Sequence, residues 1–381
     1  MTLSTPDKTD IPAFYSARFH PAQNSAMRRC DPGHVEKAAL QARFPPDNAD
    51  NIRAQGDDYC YVAANTPTPR ARGAAPPGDT SRMTTSPHPI DILAFLTDEG
   101  VACPTLKIVD VGAMDVGEAE PWSRLVTADA ATLIGFEPNA PECEKLNQAG
   151  RANCQFLPHA LGDGGRHVLH IGTEPMTSSL YPPDPAVMQQ FHALWELCEP
   201  VRKEPLETVR LDDVTEAQPA DFLKLDVQGA ELLVLEGAVD TLTDTLAVQT
   251  EVNFLPIYKG QALFADVDIF LRAQGFTFHT MVGVGSRPYR PLINDGNPNR
   301  GFAQVIWSNA VYLRDPADFP ELAQSQPEVL LKLAVLTHEL YGAFDFAALA
   351  LQHYGAAHKP GLATAYIRAL MVADPSITAQ K

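Results

Sequence analysis

The chain has 381 residues, 45% of them hydrophobic, enough to bury one large core with further elements attached. A formal net charge of −18 argues against backbone binding to nucleic acid and against anionic membrane surfaces, and it favours neutral or cationic small molecules. The six cysteines form no Cys-x-x-Cys pair or metal-ligand spacing, and no apolar run approaches the roughly 18 residues of a membrane span, so the expectation is a soluble cytoplasmic protein with reduced thiols.

Residues 1–82 carry ten prolines and no sustained helical or strand period. They hold ten Lys/Arg against nine Asp/Glu, which leaves 19 basic against 38 acidic residues in the remainder. That composition reads as a disordered or loosely attached arm. Met83 precedes a compact amphipathic start, Pro89-Ile-Asp-Ile-Leu-Ala-Phe-Leu96, so translation from Met83 is an expectation beside translation from Met1. Residues 83–318 read as the main domain.

From residue 105 the pattern alternates between strand and helix. Leu106–Val111 and Ala131–Phe136 read as strands, with short candidates at Cys154–Leu157 and Val168–Ile171. Residues 186–198 place Val187, Met188, Phe191, Leu194, Trp195 and Cys198 at helical spacing, either as ordinary core or as the wall of an acceptor pocket. Tyr181-Pro-Pro-Asp184 reads as a turn. The nearly continuous apolar run at Phe222–Val227 suits a strand covered on both faces. Ala230–Ala238 reads as helix, Leu246–Phe254 as strand, and residues 267–274 as a helix stopped by Gly275. Phe276–Val282 and Gln304–Leu313 complete the series without a helix between them. The whole predicts a doubly wound, Rossmann-like α/β sheet, mostly parallel, with an antiparallel hairpin at one edge. Residues 319–381 read as a helical extension, either a cap on the sheet or a surface for a homodimer.

In such a sheet the first strand-to-helix turn is the usual ligand cradle. Here it is Gly112-Ala-Met-Asp-Val-Gly117. This spacing is neither the Gly-x-Gly-x-x-Gly of a pyrophosphate site nor a P-loop. Glu137, 25 residues past Gly112, ends the second strand, where a carboxylate can accept two hydrogen bonds from a ribose diol. A glycine turn without a phosphate signature, followed by a ribose-binding acid, fits an adenosyl group without phosphates, which is S-adenosyl-L-methionine.

Asp110-Val-Gly-Ala113, Phe136-Glu-Pro138, Ala160-Leu-Gly-Asp163, Ser178-Ser-Leu180, Val209-Arg-Leu-Asp-Asp213 and above all Phe222-Leu-Lys-Leu-Asp-Val-Gln-Gly-Ala-Glu-Leu-Leu-Val-Leu-Glu-Gly237 resemble the FkbM family of S-adenosylmethionine-dependent methyltransferases, over about residues 105–315. The resemblance implies a class I methyltransferase fold and methyl transfer to hydroxyl oxygens of sugars, polyketides and other small metabolites. It implies cofactor contacts from Asp110, Gly112, Ala113, Gly117, Glu137 and Pro138, with His159, Ala160 and Leu161 bordering the adenine. It places Asp226 near the reactive methyl as the candidate base, with Glu251 as the alternative. Two positions depart from the commoner pattern: the glycine turn is one residue longer, and Gln228 stands where Glu is more usual.

No residue is assigned as a metal ligand from spacing. Asp226 with Glu251 and Asn253 has the oxygen donors for Mg²⁺, but the favoured reading has Glu251 bonding backbone or acceptor. His279 reads as a local hydrogen-bonder rather than a base. A second class of function stays open, a non-catalytic module that keeps the fold and acts through its helical tail.

Overall fold

The computed structural model describes residues 88–113 and 120–379. The arm over 1–82, Met83 and Gly117 lie outside the described residues. Ten strands are described: β1 (Leu106–Val111), β2 (Ala131–Phe136), β3 (Cys154–Leu157), β4 (Ala160–Leu161), β5 (Arg166–Gly172), β6 (Pro200–Val209), β7 (Phe222–Leu225), β8 (Ala247–Asn253), β9 (Phe276–Ser286) and β10 (Val305–Arg314). Seven of them form one sheet in the order β3-β2-β1-β7-β8-β10-β9. The pairs from β3 to β8 are parallel, and β10 runs antiparallel to both of its neighbours. The expected edge hairpin is therefore present, with its second strand placed between β8 and β9.

The central strands are apolar on both faces because both faces are covered. In β7, Phe222, Leu223 and Leu225 are all fully buried. Ile108 and Phe222 pack on one side with the C-terminal helices. Val109, Leu223 and Leu225 pack on the other with residues of helices Glu231–Glu236, Val239–Asp244 and Phe264–Ala273. This alternation of side chains across the pleat is what lets a continuous apolar run serve two cores.

Two expectations need correction. β6 has no counterpart in the sequence reading: it pairs antiparallel with β5 in a separate three-stranded sheet of order β4-β6-β5. Its residues 201–205 are exposed, so no apolar alternation marks it, and two prolines mask it further. Residues 186–198 do not form one helix. Short helical turns at Pro185–Met188 and Trp195–Cys198 flank a stretch whose backbone bonds go elsewhere, His192 N–H to Pro288 and Arg290 N–H to Gln190. Met188, Phe191, Leu194 and Cys198 nevertheless form a small buried cluster with Ile257, Tyr258 and Ile306.

The C-terminal helices Phe319–Ser325, Pro327–Tyr341, Phe344–His358 and Leu362–Ala373 cap one face of the sheet. Leu330, Leu333, Ala334, Val335 and Leu336 are fully buried, so helix Pro327–Tyr341 is an interior element. Lys332 Nζ is 2.8 Å from Asp221 Oδ1, while Asp221 Oδ2 accepts the Lys107 N–H at 2.8 Å, which ties this helix to the start of β1. His279 packs against Tyr341 and Phe346 of these helices, in keeping with a local role.

His338 is fully buried in the same helix, with Nδ1 2.7 Å from Tyr366 Oη and Nε2 3.0 Å from the Ile90 carbonyl oxygen. Burial pushes its pKa down to about 4, against a smaller opposing pull from the Ile90 carbonyl. Its surroundings also include His88, Asp91, Arg124 and Glu339. A histidine held neutral in the fold takes up a proton more readily when unfolded. Its contribution is therefore present above about pH 6.5 and is lost as pH falls toward 4. Stability should drop over that window by up to about 3 kcal/mol from this group alone. Urea denaturation from pH 7 to 4 should show a flatter dependence in His338→Gln than in the parent; equal slopes would remove His338 as the source.

Candidate active site

The ends of β1 and β7 meet closely. Asp226 N–H donates to the Val111 carbonyl at 3.1 Å, and Gly112, with φ of +83°, follows at once. A Cβ on Gly112 would lie 2.1 Å from the Asp226 carbonyl oxygen, so only glycine fits there. The Gly112 and Ala113 N–H groups both donate to the Phe136 carbonyl, at 3.2 and 3.1 Å, which binds the same corner to β2.

Asp110, 4% exposed, sits across the β1–β7 pair from Lys224, with 3.1 Å between Oδ1 and Nζ. Burial pushes the Asp110 carboxyl above its usual range, against the pull of Lys224. Burial draws the Lys224 ammonium down, but Asp110 and Asp226 outweigh it and leave it above its ordinary value.

Glu137 ends β2 and is buried. Its Oε1 accepts the Asn139 N–H at 2.7 Å, and no hydrogen bond to its second oxygen is found among the described residues. Burial raises its pKa, partly offset by that N–H. Pro138 beside it is exposed, and His159 and Ala160 are half-buried. Leu161 is 5% exposed and packs with the core on one face of the sheet.

The segment after β7 turns sharply, with Gln228 at φ +53° and Gly229 at φ +97°. Gln228 adopts a left-handed conformation that a non-glycine residue holds only with support. Glu231 supplies part of that support, its Oε1 accepting the Val227 and Gly229 N–H groups at 3.0 and 3.1 Å. Ser179 Oγ donates to the Gln228 carbonyl at 2.6 Å, and Tyr258 Oη donates to Gln228 Oε1 at 3.1 Å. The amide thus fixed points its Nε2 to Asp226 Oδ1 at 2.8 Å.

β8 adds Glu251 and Asn253, two residues apart and therefore on one face of the strand. Asp226, Glu231 and Glu251 each bring a carboxylate oxygen to within 4.8 Å of the others. Burial, then the charges of Asp226 and Glu231, push Glu251 well above the usual carboxylate range. Glu231 rises to about 7, through burial and the nearby Asp226, against the backbone N–H groups it accepts. The structure thus brings Asp226 and Glu251 together, with Asp110 and Gly112 beside them on β1, and adds Glu231 and Tyr258 to the site.

Two open surface grooves are found among the described residues, neither lined by Glu137, Asp226, Glu231 or Glu251. One of about 630 Å³ is lined by Phe254, Met281, Val284, Val305 and Ser308, and one of about 410 Å³ by Ala140, Cys143, Asn147, Phe156 and Pro158.

Residues 110–278 match the model of the methyltransferase FkbM domain. The 2-O-methyltransferase NoeI of Sinorhizobium fredii (strain NBRC 101917 / NGR234) is 30% identical over 168 residues, 42% of this chain and 68% of that protein. The chain belongs to the FkbM methyltransferase family. Among solved structures, magnesium protoporphyrin IX methyltransferase from Synechocystis PCC 6803 with bound SAM is 13% identical at a TM-score of 0.28, covering 59% of this chain and 76% of that one. Precorrin-6y C5,15-methyltransferase from Geobacter metallireducens GS-15 is 11% identical at a TM-score of 0.28, covering 62% and 95%.

Within this FkbM chain the role of holding the turn after β7 falls to Glu231, five residues beyond Asp226. The sequence held a signal for it, because Glu231 lies inside the run that carries the family resemblance. Tyr258 had no such signal. Glu231→Ala leaves the Val227 and Gly229 N–H groups without their acceptor, at about 1–3 kcal/mol each. Glu231→Gln keeps an acceptor oxygen and thins the carboxylate crowd. Chemical denaturation should show a loss of at least about 2 kcal/mol for the alanine variant and a much smaller change for the glutamine variant; equal losses would refute this role.

Proposed function

We propose that the protein transfers the methyl group of S-adenosyl-L-methionine to a hydroxyl oxygen of a small molecule or glycan. The observation that carries the reading is Asp226, oriented by Gln228 at the carboxyl end of β7, beside the point where the strand order reverses. The relation to a 2-O-methyltransferase supports an oxygen acceptor. The net charge of −18 supports a neutral or cationic acceptor over a nucleic acid.

The residues fit the donor. Glu137 offers a buried carboxylate with one oxygen still unengaged among the described residues, which suits a pair of ribose hydroxyls. Gly112 and Ala113 would line the amino-acid end, and Pro138, His159, Ala160 and Leu161 the adenine end. When bound, the donor supplies a methyl already activated by the positive sulfur. The protein's tasks are then to hold the acceptor oxygen in line and to receive its proton. Positioning alone supplies about 7–11 kcal/mol of barrier reduction. Proton removal by a placed carboxylate contributes a further ~10²–10⁴-fold. Asp226 suits that second task, since Gln228 engages only one of its oxygens. Glu251, pushed well above the usual carboxylate range, suits a hydrogen-bond donor at neutral pH better than a base.

Calorimetry and turnover separate the two assignments. Glu137→Ala should weaken S-adenosyl-L-methionine binding by roughly tenfold or more, the scale of a lost charge-assisted pair of hydrogen bonds. Normal binding in that variant removes the ribose contact. Asp226→Asn keeps its shape and its bond from Gln228; it should bind the donor within a few-fold of the parent yet lose at least about 10²-fold in turnover. Near-normal turnover would remove Asp226 as the base.

A further inference from the structure

We propose that Asp226, Glu231, Glu251 and Asn253 form a site for one hard divalent cation of the Mg²⁺, Mn²⁺ or Ca²⁺ class. Metal–oxygen bonds of about 2.0–2.6 Å place ligand oxygens on opposite sides of such a cation about 4–5 Å apart. The three carboxylate oxygens, all within 4.8 Å of one another, meet that spacing. Glu231 and Glu251 are buried, Asp226 is half-buried, and among the described residues none of the three makes a salt bridge. Lys224, the cation that bears on them, is itself held by Asp110. Three carboxylates so close, with no positive partner of their own, call for a cation or shared protons.

A second and independent observation favours the cation. Asn253 is 1% exposed; its NH₂ end bears on the Glu251 carboxylate, while its Oδ1 has no hydrogen-bond partner. It lies on the same face of β8 as Glu251. A buried amide oxygen without a partner is rare in a settled core, and each instance calls for an explanation. A cation at the cluster explains it, taking Oδ1 as a neutral oxygen ligand beside three anionic ones. The binding rests on these side chains alone. Only its consequence leans on the proposed reaction: a cation with open positions would take the acceptor oxygen and ease the loss of its proton.

The test uses the full chain stripped with chelator and then titrated with MnCl₂ alone, without methyl donor or acceptor, so an inactive preparation still decides it. Calorimetry and electron paramagnetic resonance should count one Mn²⁺ per chain, and the melting temperature should rise with Mn²⁺. In stripped protein, Asn253→Leu should melt no lower than the parent, because it removes a buried amide oxygen that has no partner and puts an apolar group of similar size in its place. Its Mn²⁺ affinity should fall at least tenfold. Glu251→Gln, which relieves the crowding of charge, should behave the same way, while Glu174→Gln on the surface should bind like the parent. Absence of binding at millimolar MnCl₂ overturns the proposal. So does a Mn²⁺-dependent rise in melting temperature that survives undiminished in Asn253→Leu and Glu251→Gln.

Discussion

The close approach of β1 to β7 governs the rest of this molecule. The strand order reverses between these two strands, so the crevice at their carboxyl ends is where the fold can admit a ligand. The approach is tight enough that Gly112 cannot carry a Cβ against the Asp226 carbonyl. One glycine therefore does two things: it opens the turn toward the crevice and lets the backbone of Asp226 seat against β1. Had the strands met less closely, Asp226 would stand farther from the β1 corner and from Glu137 on β2.

The polar residues of the central strands depend on the same geometry and on the C-terminal helices. Asp110, Lys224 and Gln249 are neighbours in register across β1, β7 and β8, and Glu251 follows two residues later on the same face. Helix Pro327–Tyr341 covers this side of the sheet, and Tyr341 Oη donates to Gln249 Oε1 at 3.1 Å. The extension thus helps keep water from a stripe of charge, which is why burial heads the causes of the raised Asp110 and Glu251 values. A buried ion pair such as Asp110–Lys224 is weak evidence for stability, because desolvation offsets the attraction. Its value here lies in keeping one anion neutralised at the base of the site.

Much of this was legible in the residues. Every strand of the large sheet was anticipated from apolar runs and turn residues, because buried parallel strands write a continuous apolar signal. β6 was not, because a strand exposed along much of its length leaves no such signal. The carboxylates Glu137, Asp226 and Glu251 stand at or just past strand ends, where the sequence reading put them. Their partners were harder to see. Ser179 and Glu231 lie within the runs that carry the family resemblance, but their part in holding the turn, like that of Tyr258, depends on a left-handed residue at 228 that no sequence period announces.

Gln228 illustrates how such a local departure can suit its setting. A glutamate there, the commoner residue of the family pattern, could accept from Tyr258 but has no N–H to offer Asp226. It would set a fourth carboxylate against a cluster that already holds three within 4.8 Å. Glutamine accepts from Tyr258 with its carbonyl and donates to Asp226 with its amide, so each end of the side chain meets a group of the opposite kind. Tyr258 is itself fully buried in a cluster with Met188 and Phe191, and a flipped amide would set its oxygen against the Asp226 carboxylate in place of an N–H. The uncharged side chain therefore adds no fourth carboxylate to the cluster and holds Asp226 through one oriented hydrogen bond.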